Sequence, residues 1–152
     1  MDIVKKIEEL GIVPVVKLDR ADDAVPLAKA LAKGGLPLAE ITFRTDAAEE
    51  SIRRIAGEVP EVLVGAGTVL TVEQVDRALG AGAAFIVSPG INPGVVRHCI
   101  DRKVPVFPGV ATPSDIEVAL ELGLRVLKFF PAEALGGLDT LKALSGPYGQ
   151  VR

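Results

Sequence analysis

One cysteine, Cys99, and one histidine, His98, are all that this chain offers of the two commonest soft metal ligands. Without a second thiol, or a Cys/His pair at ligand spacing, a disulfide framework and a zinc site are both excluded. Both residues fall in a helical stretch, Cys99 reading as a small core residue and His98 as a surface one, and neither is given a role. An excess of one charge sign is also missing. The 17 basic and 20 acidic residues are mixed along the chain and leave a net charge of -3, which makes no electrostatic footprint for nucleic acid or an anionic membrane. Long apolar runs are absent too: no stretch reaches membrane-spanning length without a charge or a Pro or Gly break. The opening Met1–Leu10 is broken by Asp2, Lys5, Lys6, Glu8 and Glu9, so it reads as an amphipathic helix and not as a signal peptide. The expectation is a cytoplasmic protein with small-molecule or protein partners.

What the chain does have is a repeat. Its 152 residues, 49% of them apolar, suffice for one domain with a real core and fall short of two. Short runs rich in β-branched residues occur at Ile12–Leu18, Leu38–Phe43, Val62–Ala66, Ala84–Val87, Val104–Phe107 and Val126–Phe129. Each is followed by a segment with helical spacing: 19–33, about 46–58, 72–79, from Pro93, from Pro113 and 138–144. Thr45 and Asp46 are candidate caps for the second of these, Thr71 to Gln74 fits a capping box, and Asn92-Pro93 and Thr112 to Asp115 read as caps with proline in the first turn. Strand starts recur every ~20–26 residues, the length of a strand, a helix and two short loops, which makes the sheet parallel.

An open doubly wound sheet and a βα barrel both fit that repeat. Alternation decides between them. In the second run Leu38, Glu40, Thr42 and Arg44 share one side, and Ala39, Ile41 and Phe43 the other. Helices cover the apolar side, so the polar side needs an interior that holds charge, as the mouth of a barrel does. Lys17 in the first run and Lys128 in the sixth are expected on the same inward side. The expected fold is therefore α/β, of the (β/α)8 TIM-barrel type. A closed barrel needs two more units, roughly 45 residues, so 1–152 is expected to form a single incomplete barrel domain of about six βα units, opened by an N-terminal helix. A fragment is favoured over a six-unit departure from the plan.

The most informative stretch is Val126-Leu127-Lys128-Phe129-Phe130-Pro131-Ala132-Glu133, where one amine sits inside an apolar run. An amine buried without a partner tends to give up its proton, and a neutral amine attacks ketones; the plainer reading is a packed stem with its head in water. Glu40 is either half of a charge pair with Arg44 at a strand end or a partly desolvated group that moves protons, with Arg44 holding an anion. Gly65-Ala66-Gly67-Thr68 lacks the spacing of a phosphate loop and reads as a tight turn that lets a ligand approach.

Taken together, Pro14 to Lys17, Glu40-Ile41-Thr42-Phe43-Arg44-Thr45, Gly65 to Leu70, Ser88-Pro89-Gly90, Phe107 to Val110 and Leu127 to Glu133 resemble the bacterial 2-keto-3-deoxy-6-phosphogluconate (KDPG) and 4-hydroxy-2-oxoglutarate aldolases, over essentially the whole chain. The resemblance implies a class I, Schiff-base lyase of carbohydrate metabolism, homotrimeric and without metal or other cofactor. By position it makes Lys128 the imine-forming lysine and Glu40 the general acid/base. Arg44 and Thr68 would hold the substrate carboxylate, Pro89 and Phe130 would line the pocket, and Lys17 would contact substrate, at a position where relatives also carry arginine. The implied reaction cleaves KDPG to pyruvate and glyceraldehyde 3-phosphate, and 4-hydroxy-2-oxoglutarate to pyruvate and glyoxylate. In the family the phosphate is held after the seventh and eighth strands, so a catalytically impaired fragment or a self-associating scaffold is the alternative expectation.

Overall fold

The computed structural model describes residues 2–152. Six parallel strands, β1 (Val15–Val16), β2 (Leu38–Thr42), β3 (Leu63–Gly67), β4 (Ile86–Ser88), β5 (Val106–Val110) and β6 (Lys128–Phe129), pair in sequence order. Every step is a parallel crossover, as the repeat predicts. Among the described residues no β1–β6 pairing closes the sheet, which is a half-barrel with two edges.

Helix α1 (Ile3–Leu10) precedes the sheet, and α2 (Ala24–Lys33), α3 (Ala48–Glu58), α4 (Val72–Gly80), α5 (Pro93–Asp101), α6 (Pro113–Glu121) and α7 (Gly137–Ser145) follow strands β1 to β6 in turn. The outer face of the sheet and its helices form the main core. Ala39 and Ile41 of β2, Ile52 and Ile55 of α3, Val75 and Ala78 of α4, and Val95 and Cys99 of α5 are all buried in it. A smaller cluster fills the inner face, where Leu38, Phe85 and Val87 pack under Ile3, Ile7 and Leu10 of α1. That places α1 across the floor of the half-barrel. Alternation along β2 therefore sorts its side chains as expected, except that Leu38 at the floor end makes the inner face apolar below and polar above.

The caps at Asn92 and Thr112 form, the second as a full capping box with Asp115. Thr71 accepts from the Gln74 amide, but the Gln74 side chain turns to the amide of Leu70, so that box is only half made. Thr45 and Asp46 do not cap α3. Its N-cap is Ala47, because the Thr45 hydroxyl donates to the Leu18 carbonyl at 2.5 Å and ties the end of β2 to the loop after β1.

Strand boundaries differ most where Pro and Gly lie. β1 pairs over only two residues, since Pro14 brings no N–H and Lys17 already turns away; the Pro14 carbonyl still accepts from Glu40 at 2.9 Å. β3 contains Gly65, inside the expected run, and extends one residue further to Gly67, and β5 runs on beyond Phe107 through Pro108 and Gly109. Neighbours crowd each of these glycines: a β-carbon would overlap the Phe85 ring at Gly65, the Glu40 carboxylate at Gly67 and the Pro89 carbonyl at Gly109. Beyond β6, Arg152 receives the Leu127 amide at 2.9 Å and donates to the Arg125 carbonyl at 2.7 Å, the parallel ladder pattern, while its guanidinium reaches Glu8 of α1.

Candidate active site

The two groups at the centre arrive from opposite parts of the half-barrel. Glu40 is the middle residue of β2, 3% exposed, with its carboxylate in the space that Gly67 leaves free. Lys128 opens β6, the far edge, and its Nζ lies 3.8 Å from Glu40 Oε1. That separation is an ion-pair contact and not a hydrogen bond. Oε1 is buried without any hydrogen-bond partner. Burial raises the Glu40 pKa above the ordinary 4.5, against a weaker downward pull from Lys128 and then from Arg44. A carboxyl in this state is set up to take and return a proton, and among the described residues the amine beside it is the only lysine that lines the interior cavity.

Arg44 stands two residues beyond β2 and is held from behind. Its Nε donates to Thr42 Oγ1 at 3.2 Å, and that buried hydroxyl donates in turn to the Val16 carbonyl at 3.0 Å. Thr68 follows β3 directly, with φ at +56°, in the left-handed region that a β-branched residue avoids. Pro89 follows β4, and its carbonyl packs on Gly109. Phe130 follows β6, 43% exposed, with its ring centroid 5.1 Å from Lys128 Nζ. Because the strands are parallel, Arg44, Thr68, Pro89 and Phe130 all emerge at one end of the sheet, the carboxyl ends where βα barrels place their chemistry.

Lys17 does not join them. Its Nζ pairs with Asp19 at 2.5 Å in the exposed loop after β1, so two of the three expected inward groups, Glu40 and Lys128, meet and the third stays outside. Phe129, on the opposite side of β6 from Lys128, lines a cavity of about 140 Å³ under α7. Cys99 is buried in the core, where desolvation pushes its thiol up to about 11. His98 pairs with Asp76 at 2.9 Å.

Two residues shape the site in ways that the sequence reading does not assign. Thr42 was placed on the right face, and its lodging between Glu40 and Arg44 is the signal for a holding role. Gly67, in the turn expected to admit a ligand, makes room for the Glu40 side chain. Below the central pair, a cavity of about 300 Å³ is walled mainly by Val13, Val15, Phe85, Val87, Phe107 and Val126. Val13 and Val15, Phe85 and Val87, and Val126 with Lys128 alternate along their own runs, but which runs meet around the cavity is not a local property. Among the described residues no three His, Cys, Asp or Glu side chains converge to hold a metal ion, and no helix is long and apolar enough to cross a membrane.

Residues 3–152 match the family model for KDPG and KHG aldolase. The chain belongs to that family. It is 54% identical over 150 residues to the 2-dehydro-3-deoxy-phosphogluconate aldolase of Haemophilus influenzae, covering 99% of this chain and 71% of that protein. The crystal structure of the 2-keto-3-deoxy-6-phosphogluconate aldolase of Zymomonas mobilis with 3-phosphoglycerate superposes with a TM-score of 0.93 at 42% identity, over 100% of this chain and 73% of the other. A Legionella pneumophila KDPG aldolase, captured with pyruvate as a covalent carbinolamine, gives 0.89 at 39% identity, over 92% and 68%. The half-barrel is thus a KDPG and KHG aldolase fold, and family members of that name are carbon–carbon lyases. These findings do not favour a non-catalytic scaffold.

Proposed function

We propose that this chain is a Schiff-base aldolase acting on 2-keto acids, with KDPG as substrate and 4-hydroxy-2-oxoglutarate as a second one. The observation that carries the reading is the approach of the Lys128 amine to 3.8 Å from a buried, otherwise unpartnered Glu40 carboxylate. A nucleophilic amine and a general base within one substrate's reach are what imine chemistry requires. The covalent pyruvate adduct of the Legionella relative supports it.

In this reading the Lys128 amine adds to the C2 ketone, and loss of water leaves an imine. Glu40 takes the C4 hydroxyl proton as the C3–C4 bond breaks. The bonding electrons pass into the imine to give an enamine, and the aldehyde leaves as glyceraldehyde 3-phosphate, or as glyoxylate from the shorter substrate. Glu40 then returns its proton to C3, and hydrolysis frees pyruvate and the amine. Arg44, held by Thr42, and the Thr68 hydroxyl receive the substrate carboxylate, with Pro89 and Phe130 as walls. Lys17 is left out of this assignment because Asp19 engages it at the surface. The family's homotrimeric assembly is part of the same proposal, supported by Leu70 and Val72, which lie exposed just after β3; mass in solution checks it.

The test is intact mass after incubation with pyruvate and sodium borohydride. Wild-type protein gains one reduced pyruvate adduct and Lys128→Ala gains none. Folded wild-type protein that gains none overturns the assignment.

A further inference from the structure

Ser88, the last residue of β4, is buried, and its hydroxyl reaches past the strand to the loop: it donates to the carbonyl of Gly90, two residues on, at 2.8 Å. Alternation turns Ile86 and Ser88 toward the helices and Phe85 and Val87 toward the interior, so the tether is fastened from behind the sheet. Gly90 is exposed, and nothing lies within 4 Å of where its β-carbon would stand, so packing does not fix it. The peptide that joins Pro89 to Gly90 has a defined seat. Ser88 lies opposite Pro108 in the β4–β5 register and Gly109 opposite Lys128 in the β5–β6 register, which sets Pro89, Gly109 and Lys128 in a row across three neighbouring strands. The middle member has no side chain, and a β-carbon there would overlap the Pro89 carbonyl and stand 2.9 Å from the Gly90 nitrogen. The Pro89–Gly90 peptide therefore occupies the side-chain position next to Lys128 in that row.

We propose that Ser88 is a positioning residue for specificity: by holding the Gly90 carbonyl it keeps the Pro89–Gly90 peptide seated on Gly109, and this peptide is the wall that limits the bulk of a 2-keto acid bound at Lys128. The wall is backbone and one proline ring, so its place is set by the turn and not by a rotamer. Without the tether the turn is free to lift off Gly109, because Gly90 is held by no packing of its own, and the space beside Lys128 widens. Ser88 itself touches no substrate and acts only through Pro89 and Gly90. The inference rests on the proposed imine at Lys128 and adds to it the group that decides which 2-keto acids fit.

The experiment is borohydride trapping read by intact mass, with pyruvate and with 3-methyl-2-oxobutyrate, a 2-keto acid branched next to its carbonyl. The quantity is the ratio of the half-trapping concentration of the branched acid to that of pyruvate, compared between variants so that the intrinsic reactivity of each acid cancels. A methyl group in a formed pocket is worth about tenfold or more in discrimination, so Ser88→Ala should lower the ratio several-fold, chiefly by admitting the branched acid. Ser88→Thr keeps the hydroxyl and should keep the wild-type ratio. Ile52→Val, a truncation in the buried core face of α3, should lower stability and leave the ratio alone. Ser88→Cys, a weaker donor of similar size, repeats the test if the alanine variant fails to fold. With a pyruvate adduct on the wild type, an unchanged ratio in Ser88→Ala, a fall in Ser88→Thr as large as in Ser88→Ala, or the same fall in Ile52→Val overturns this inference and leaves the keto-acid reading standing. No branched adduct on Ser88→Ala likewise overturns it alone, and no adduct on folded wild type from either acid overturns both.

Discussion

Glu40 occupies the volume that a side chain at position 67 would fill: a β-carbon on Gly67 would overlap the Glu40 carboxylate. The glycine of β3 is thus half of how the carboxylate of β2 reaches Lys128.

The first prediction is that Gly67→Ala pushes the Glu40 carboxyl out of place. It should cost about 1–3 kcal/mol, the usual range for overpacking, and abolish Glu40-dependent turnover. In a Glu40→Ala background the same alanine should cost much less, because the clashing group is gone. Urea denaturation of the four proteins measures the coupling, and a cost independent of residue 40 refutes the relationship.

The second prediction concerns pH. Burial raises the Glu40 pKa above 4.5 in the folded protein, so folding favours the protonated carboxyl. Stability from this group is complete below 4.5 and is lost as pH rises through the higher folded value. Glu40→Gln, neutral throughout, should therefore match wild type at low pH and exceed it by about 1–3 kcal/mol at pH 8, the cost of a poorly satisfied buried charge. Chemical denaturation across pH shows whether the gap opens in that direction. Turnover needs the carboxylate, so its acid limb should lie above 4.5, and Glu40→Gln should lower turnover by about 10²–10⁴.

Thr68 and Lys103 both hold positive φ, +56° and +55°. Glycine relieves that conformation at either place, so each substitution should stabilise the fold by about 1 kcal/mol. Their effects on function should part: Thr68→Gly removes a proposed carboxylate donor and raises the pyruvate concentration needed for trapping, whereas Lys103→Gly leaves it unchanged. Thermal melts and trapping titrations on the same samples check both halves.

Thr42 links the site to the edge of the sheet, because one hydroxyl receives Arg44 and reaches the Val16 carbonyl. Thr42→Val keeps the shape and loses both bonds. It should cost about 1 kcal/mol and raise the pyruvate requirement several-fold as Arg44 comes loose. Thr42→Ser keeps the hydroxyl and should restore the requirement; failure of that rescue assigns Thr42 to packing alone.

Much of this architecture was legible in the chain. The βα repeat, the parallel sheet and the inward side of β2 follow from period and alternation, since a strand buried on one side must sort its residues by polarity. Lys128 and Glu40 stood out because charge inside apolar strands is costly and so conspicuous. Other features depend on distance between segments. Gly67 and Gly109 lie beyond the expected runs, yet both are strand and both are crowded, by Glu40 and Pro89, neighbours that local sequence does not reveal. Thr45 is a good cap by type but bonds to Leu18 across the fold instead. Lys17 has the right parity to face inward, but β1 pairs over only two residues and its lysine finds Asp19 first. The apolar cavity below Lys128 is assembled from α1 and the walls of several strands, so no single stretch of sequence encodes it. Sequence determined which residues belong to which face, because that is a local, periodic property. Which of them meet was decided by the curvature of the sheet and the contacts it forces.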